Sequence, residues 1–139
     1  MFSNWKVFNN EGLHFLHLNV NSLPSKIDEI KMIALKSNAT IIGITETKLD
    51  NTIKDSEVNI DGYEIIRSDR NRHGGGVACY IKKNWRFNIK ENVSSDFENI
   101  FLDILLPNSK PILISMAFLI KSLQKFQKWK NLTTKKFTF

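Results

Sequence analysis

Cysteine is almost missing from this sequence of 139 residues: Cys79 stands alone, which rules out an intramolecular disulfide and a cysteine zinc site. A reduced, intracellular setting is the simpler assumption, and a nuclear one is compatible with it. Long apolar runs are missing too. The longest, residues 112–120, is broken by Ser115 and falls short of the roughly 20 residues needed to span a bilayer. The opening MFSNWKVFNNEGLHF lacks the charged-then-apolar order of a secretory leader. These absences point to a soluble protein that is neither secreted nor membrane-bound. No internal repeat and no low-complexity segment occurs.

What is present suits one domain. Hydrophobic residues make up 42% of the chain, enough to build a core at a length within the usual single-domain range. Lys and Arg number 20 against 14 Asp and Glu, a formal charge of +6. Clustered, that excess would favour an anionic partner such as nucleic acid; dispersed, it is an ordinary solvated lysine face.

The stretch TIIGITETKLD, residues 40–50, organises the rest. Ile41, Ile42 and Ile44 form a β-branched run too short for a globular helix, so a buried strand is expected, with Glu46 just past its carboxyl end. Before it, residues 13–20 read as a strand apolar on much of both sides, with Asn19 near its end and Asn21 just beyond. Between them, Ser25 and Asp28 resemble a weak capping box, and Ile27, Ile30 and Ala34 recur at helical spacing, predicting a helix over 25–36 that stops at Ser37-Asn38. Strand, helix and strand in succession predict a right-handed βαβ unit with parallel strands. Parallel strands end at the same edge, which would bring Asn19 and Glu46 about 5 Å apart if nothing lies between them.

Residues 50–62 read as a loop ending at Asp61-Gly62, followed by a strand over 63–67. Arg67, Arg70, Arg72 and His73 then precede Gly74-Gly75-Gly76, and a strand over 77–81 follows with Cys79 inside it. Three glycines suit a hairpin turn or a loop lying against a phosphate; the absence of a following helix favours the turn. Strands are expected over 86–90 and 100–106, the latter with Ile100, Leu102, Ile104 and Leu106 on one face. A turn at 107–110 returns the chain as a strand over 111–118. From residue 119, Leu119, Leu123 and Phe126 at helical spacing among lysines suggest either a short basic amphipathic helix or a weakly docked tail.

Three segments together, HLNVNSL at 17–23, GITETKLD at 43–50 and RSDRNRHGGGVACYIK at 67–82, resemble the endonuclease/exonuclease/phosphatase superfamily. The version they look like is the apurinic-endonuclease-like domain of LINE-type non-LTR retrotransposons. The likeness runs from about residue 12 to 115. It implies an α/β (α+β) fold, a four-layer αββα sandwich of which only the first part is present here. It also implies a magnesium-dependent phosphodiesterase, with manganese as an alternative ion, that nicks DNA. By resemblance, Asn19 and Glu46 are the catalytic and metal-site residues, and Asn21 is a less certain polar neighbour. Arg70, Arg72 and His73 are candidates for contacting the DNA backbone phosphates, which positions DNA without reading its sequence. The alternative for Glu46 is a surface carboxylate near Lys48, and for Asn19 a hydrogen-bonded strand end.

The family's later motifs, Gly-Asp-x-Asn and Ser-Asp-His, do not occur in the chain, and His14, His17 and His73 all precede the place for the second. Phe118 stands where relatives carry a tyrosine. The expected organisation is thus an N-terminal lead over 1–11, a partial domain over 12–118 and an unrelated basic tail over 119–139. The expected function is a truncated metal-dependent DNA endonuclease that is inactive alone, against the alternatives of a non-enzymatic nucleic-acid-binding module or a nonfunctional remnant. Half of a two-sheet fold would leave one sheet face uncovered and favour self-association.

Overall fold

The computed structural model describes residues 12–90, 98–118 and 134–138, with the main chain alone for 117, 118 and 134–138. Among them the chain forms β1 (His14–Asn19), α1 (Leu23–Ser37), β2 (Ile41–Thr45), a 3-10 turn (Asp55–Val58), β3 (Tyr63–Ser68), β4 (Val77–Lys82), β5 (Arg86–Lys90), β6 (Glu98–Leu105), β7 (Ile112–Phe118) and β8 (Thr134–Thr138). One sheet has the order β3-β4-β2-β1-β8 and the other β5-β6-β7. β1 and β2 are parallel neighbours, with Phe15 opposite Ile41 and Asn19 opposite Thr45; the remaining pairings are antiparallel.

The two faces of the larger sheet bury different sets of side chains. On one, Leu16, Leu18, Ile42, Ile44, Ala78 and Tyr80 meet Ile30, Ile33 and Ala34 of α1 and Val58 of the 3-10 turn. On the other, Ile41, Val77, Cys79 and Ile81 meet Ile100, Leu102, Ile104 and Met116 of the second sheet. β2 is buried along its whole length, as its apolar, largely β-branched sequence requires. The described residues therefore form helix, sheet and sheet in layers, the mixed α/β two-sheet architecture expected.

Three local expectations need correction. α1 starts at Leu23, with Ser22 as N-cap and no side-chain cap. Ser25 forms no capping box; its hydroxyl donates back to the Ser22 carbonyl at 3.0 Å. The first donor is satisfied from a distance instead: Leu23 N–H donates to the Thr47 carbonyl at 2.8 Å. The loop over 50–62 contains the 3-10 turn, and β6 begins at Glu98, ahead of Ile100. At the other end of α1, Asn38 takes the left-handed conformation and its N–H caps Ala34, so the helix stops where Ser37-Asn38 indicated. The helical register read at 119–130 lies outside the described residues. Within the segment read as a tail, Thr134–Thr138 pairs with β1.

Candidate active site

The parallel pairing of β1 with β2 is what assembles the site. Both strands end at the same edge, and main-chain hydrogen bonds continue past their ends. Val20 N–H donates to the Thr45 carbonyl at 3.2 Å and Ser22 N–H to the Glu46 carbonyl at 2.9 Å. The segment after β2 is bonded in turn to the arm before β4: Thr47 N–H donates to the Gly76 carbonyl at 3.3 Å and Lys48 N–H to the Gly75 carbonyl at 3.0 Å. Three loops distant in sequence are thus joined through backbone alone. The turn between β3 and β4 closes at the Asn71–Gly74 bridge with Arg72 and His73 at its tip; the glycine run begins at that bridge and continues as the arm lying against residues 47 and 48.

The cost of this arrangement is visible in the backbone. Asn21, Glu46 and Lys48 have φ of 48°, 56° and 52°, a region that non-glycine residues occupy at roughly 1–3 kcal/mol each and only where the surroundings fix them. Gly76, at φ 86°, is required twice over, because a Cβ there would collide with Thr47 Oγ1.

The register sets Asn19 opposite Thr45, the residue before Glu46. Asn19 closes β1 and is exposed, while Glu46 is half-buried one residue past β2. Among the described residues, the side chains of Asn19, Asn21 and Glu46 make no hydrogen bond or ion pair, so their oxygens are uncommitted. On the inward face of β1, two residues before Asn19, His17 Nε2 lies 3.2 Å from Thr45 Oγ1.

The three arginines of the arm have different fates. Arg67 is held by Asp69 at 2.6 Å and Asp55 at 3.0 Å, and donates to the carbonyls of Ile53 and Asp50. Arg72 binds Asp50 Oδ2 at 2.8 Å and Thr52 Oγ1 at 2.9 Å; the Arg72 guanidinium, followed by Thr52, holds the Asp50 carboxyl far below its usual range. Both arginines tie the loop after β2 to the hairpin arm. Arg70 makes no hydrogen bond among the described residues, and its one ion-pair contact is Glu98 Oε1 at 3.8 Å. His73 sits exposed at the hairpin tip, with its N–H on Asn71 Oδ1. Phe118 ends β7 opposite Glu98, and its side chain lies outside the described residues.

Sequence reasoning passed over Glu98. It is 8% exposed, and among the described residues Oε2 has no hydrogen-bond partner. The signal was available: the inward alternation of Ile100, Leu102 and Ile104, carried two residues back, puts Glu98 on the same buried face. A cleft of about 680 Å³ lined by Lys31, Asn38, Asp61, Tyr63 and Lys82 lies at the other end of β4. The uncommitted polar groups do not converge there, so the site is placed by chemistry and not by cavity size.

The donor set at the β1–β2 edge is all oxygen. Among the described residues no group of three or more His, Cys, Asp and Glu side chains gathers to hold a metal ion. One carboxylate with an amide beside it suits a hard cation that keeps most of its waters and completes its shell from a phosphate; it does not suit zinc or a tightly caged ion.

No family model matches the chain, and no curated protein matches it. Solved structures do. An apurinic endonuclease from Archaeoglobus fulgidus aligns with TM-score 0.53 at 19% identity, over 86% of this chain and 48% of that one. The endonuclease domain of TRAS1, a telomere-specific non-LTR retrotransposon, aligns with TM-score 0.55 at 12% identity, over 88% and 54%. The human Nocturnin catalytic domain with bound sulfate aligns with TM-score 0.57 at 14% identity, over 86% and 57%. This chain spans about half the length of each. Its fold is that of the endonuclease/exonuclease/phosphatase superfamily, carried over part of the domain.

Proposed function

We propose that this chain is part of a metal-dependent phosphodiesterase domain, derived from the DNA endonuclease of a non-LTR retrotransposon, that binds DNA phosphate but does not hydrolyse it alone. One observation carries the reading: Asn19 and Glu46 end adjacent parallel strands with their side chains uncommitted, at an edge where strained backbone is fixed by bonds from two other loops. Glu46 would hold a magnesium ion with the Asn19 amide beside it, and such an ion, when bound, neutralises charge on a phosphoryl oxygen. Arg70 contributes a charge for the phosphate backbone, and His73 an exposed side chain at the arm's tip.

Hydrolysis needs more than that. The resemblance assigns activation of the attacking water to an aspartate, and the far side of the phosphate to a histidine, in the two motifs that this sequence lacks. Each such group contributes on the order of 100-fold or more, so turnover should be undetectable.

Two measurements on the full chain test the reading. Incubation with supercoiled plasmid and magnesium should leave the plasmid intact; nicking that Glu46→Gln abolishes would overturn the inactivity. Binding to duplex DNA should be strengthened by magnesium, and Glu46→Gln should abolish that strengthening. Salt-dependent binding that ignores both magnesium and Glu46→Gln would instead establish the non-enzymatic nucleic-acid-binding module.

A further inference from the structure

Glu98 is a carboxylate buried at the end of an apolar strand face. Its neighbours on the inward face of β6 are Ile100, Leu102 and Ile104, and its side chain is 9% exposed with Oε2 lacking a hydrogen-bond partner among the described residues. A buried carboxylate without full compensation is costly, and an apolar side chain of similar size would serve the inter-sheet core better. Something other than packing accounts for it.

Its surroundings indicate what. A Cβ built on Gly75 would meet Arg70 Cδ at 2.7 Å and Glu98 Oε2 at 3.1 Å, so the Arg70 stem and the Glu98 carboxylate close on the same glycine. Gly75 is also the residue whose carbonyl holds Lys48, two residues beyond Glu46. Arg67 and Arg72 are consumed by Asp55, Asp69, Asp50 and Thr52. The Glu98 contact reaches Arg70 through Nε, and no group among the described residues occupies the outer end of that guanidinium.

We propose that Glu98 is the positioning residue for Arg70: packed behind Gly75, it draws the Nε side of the guanidinium inward and leaves the two terminal nitrogens directed at a nucleic-acid phosphate beside Glu46. This rests on the reading of that edge as a phosphate-binding site. It also sorts the arm: Arg70 is the substrate-facing cation, and Arg72 is structural. The bare Oε2 follows from the same arrangement, because a carboxylate fully satisfied by other donors would not be left to hold Arg70.

The experiment measures binding of a fluorescein-labelled DNA duplex by anisotropy across a salt series. It uses the full chain, Arg70→Ala, Glu98→Gln, the double variant and Arg70→Lys, the last both alone and combined with Glu98→Gln. Arg70→Ala and Glu98→Gln should each weaken binding about tenfold, the loss of one charge-assisted contact, and lower the salt slope by about one. The double variant should bind no worse than Arg70→Ala, since the pair acts as a unit. Arg70→Lys should bind better than Arg70→Ala only while Glu98 is intact.

Urea midpoints control for folding. Should Glu98→Gln unfold the chain, Glu98→Asp, which withdraws the carboxylate without removing its charge, carries the same expectation of weakened binding. If Arg70→Ala weakens binding while Glu98→Gln leaves it unchanged or tightens it, the positioning role is wrong and the phosphate site stands. If Arg70→Ala has no effect on affinity or slope, the placement of phosphate at this edge fails, and the positioning role with it.

Discussion

Replacing Gly76 with alanine isolates the join between the hairpin arm and the segment bearing Glu46. At φ 86° any residue with a Cβ is held in a region that costs roughly 1–2 kcal/mol. The new methyl also meets Thr47 Oγ1, and Thr47 is fully buried, so it has little room to turn away. Relief requires the arm to lift, which breaks Thr47 N–H to Gly76 and Lys48 N–H to Gly75 at about 1 kcal/mol each. The expected loss is about 2–4 kcal/mol, read as a lower urea midpoint at unchanged slope and a fall in melting temperature of about 10 °C. Gly74→Ala is the internal control, because a Cβ there has nothing within 4 Å; it should change stability by less than about 0.5 kcal/mol. Equal stability of the two variants would refute the claim that the arm is clamped on Thr47. A further check is Thr47→Ala in the Gly76→Ala background: removing the obstructing hydroxyl should make the two losses less than additive.

Two other perturbations test neighbouring claims. Asp50 has its carboxyl pKa depressed, first by the Arg72 hydrogen bond and then by those from Thr52. It therefore contributes stability that is complete above its unfolded value near 3.9 and is lost as pH falls below that towards the folded value. Asp50→Asn should flatten the acid limb of a urea-midpoint profile below about pH 4, and an unchanged limb would show that this pair is not coupled to folding. Tyr80→Phe removes the buried hydroxyl that donates to the Val58 carbonyl at 2.7 Å, which should cost about 1–2 kcal/mol in urea denaturation; a neutral result would mean that water replaces it.

The opening crossover was legible because its signals are local. Ile41, Ile42 and Ile44 carry enough β-branching to specify β2, and Ile30, Ile33 and Ala34 carry the apolar stripe of α1. The start of α1 was misread because its first donor, Leu23 N–H, is satisfied by the Thr47 carbonyl, a partner from across the fold, where Ser25 and Asp28 offered a nearer but unused cap. Arg70 and Arg72 looked alike in sequence. What separates them is the placement of Asp50 and Glu98, acidic residues far from the arginines along the chain and brought close only by the fold. β8 gave no alternating apolar signal, because its sequence, TKKFT, is polar at most positions and its pairing depends on β1. Glu98 escaped notice since a carboxylate ends the period of an apolar strand by sequence rules, though it stays in phase by geometry.

The stitching of residues 20–23, 45–48 and 75–76 uses only amides and carbonyls, groups that every non-proline residue supplies. The scaffold's shape is therefore largely indifferent to which side chains it displays. Substitutions at Asn19, Glu46 or Arg70 would change what this edge displays while the strand ends keep their positions. A fold joined in this way stays recognisable by its contours after its letters have diverged.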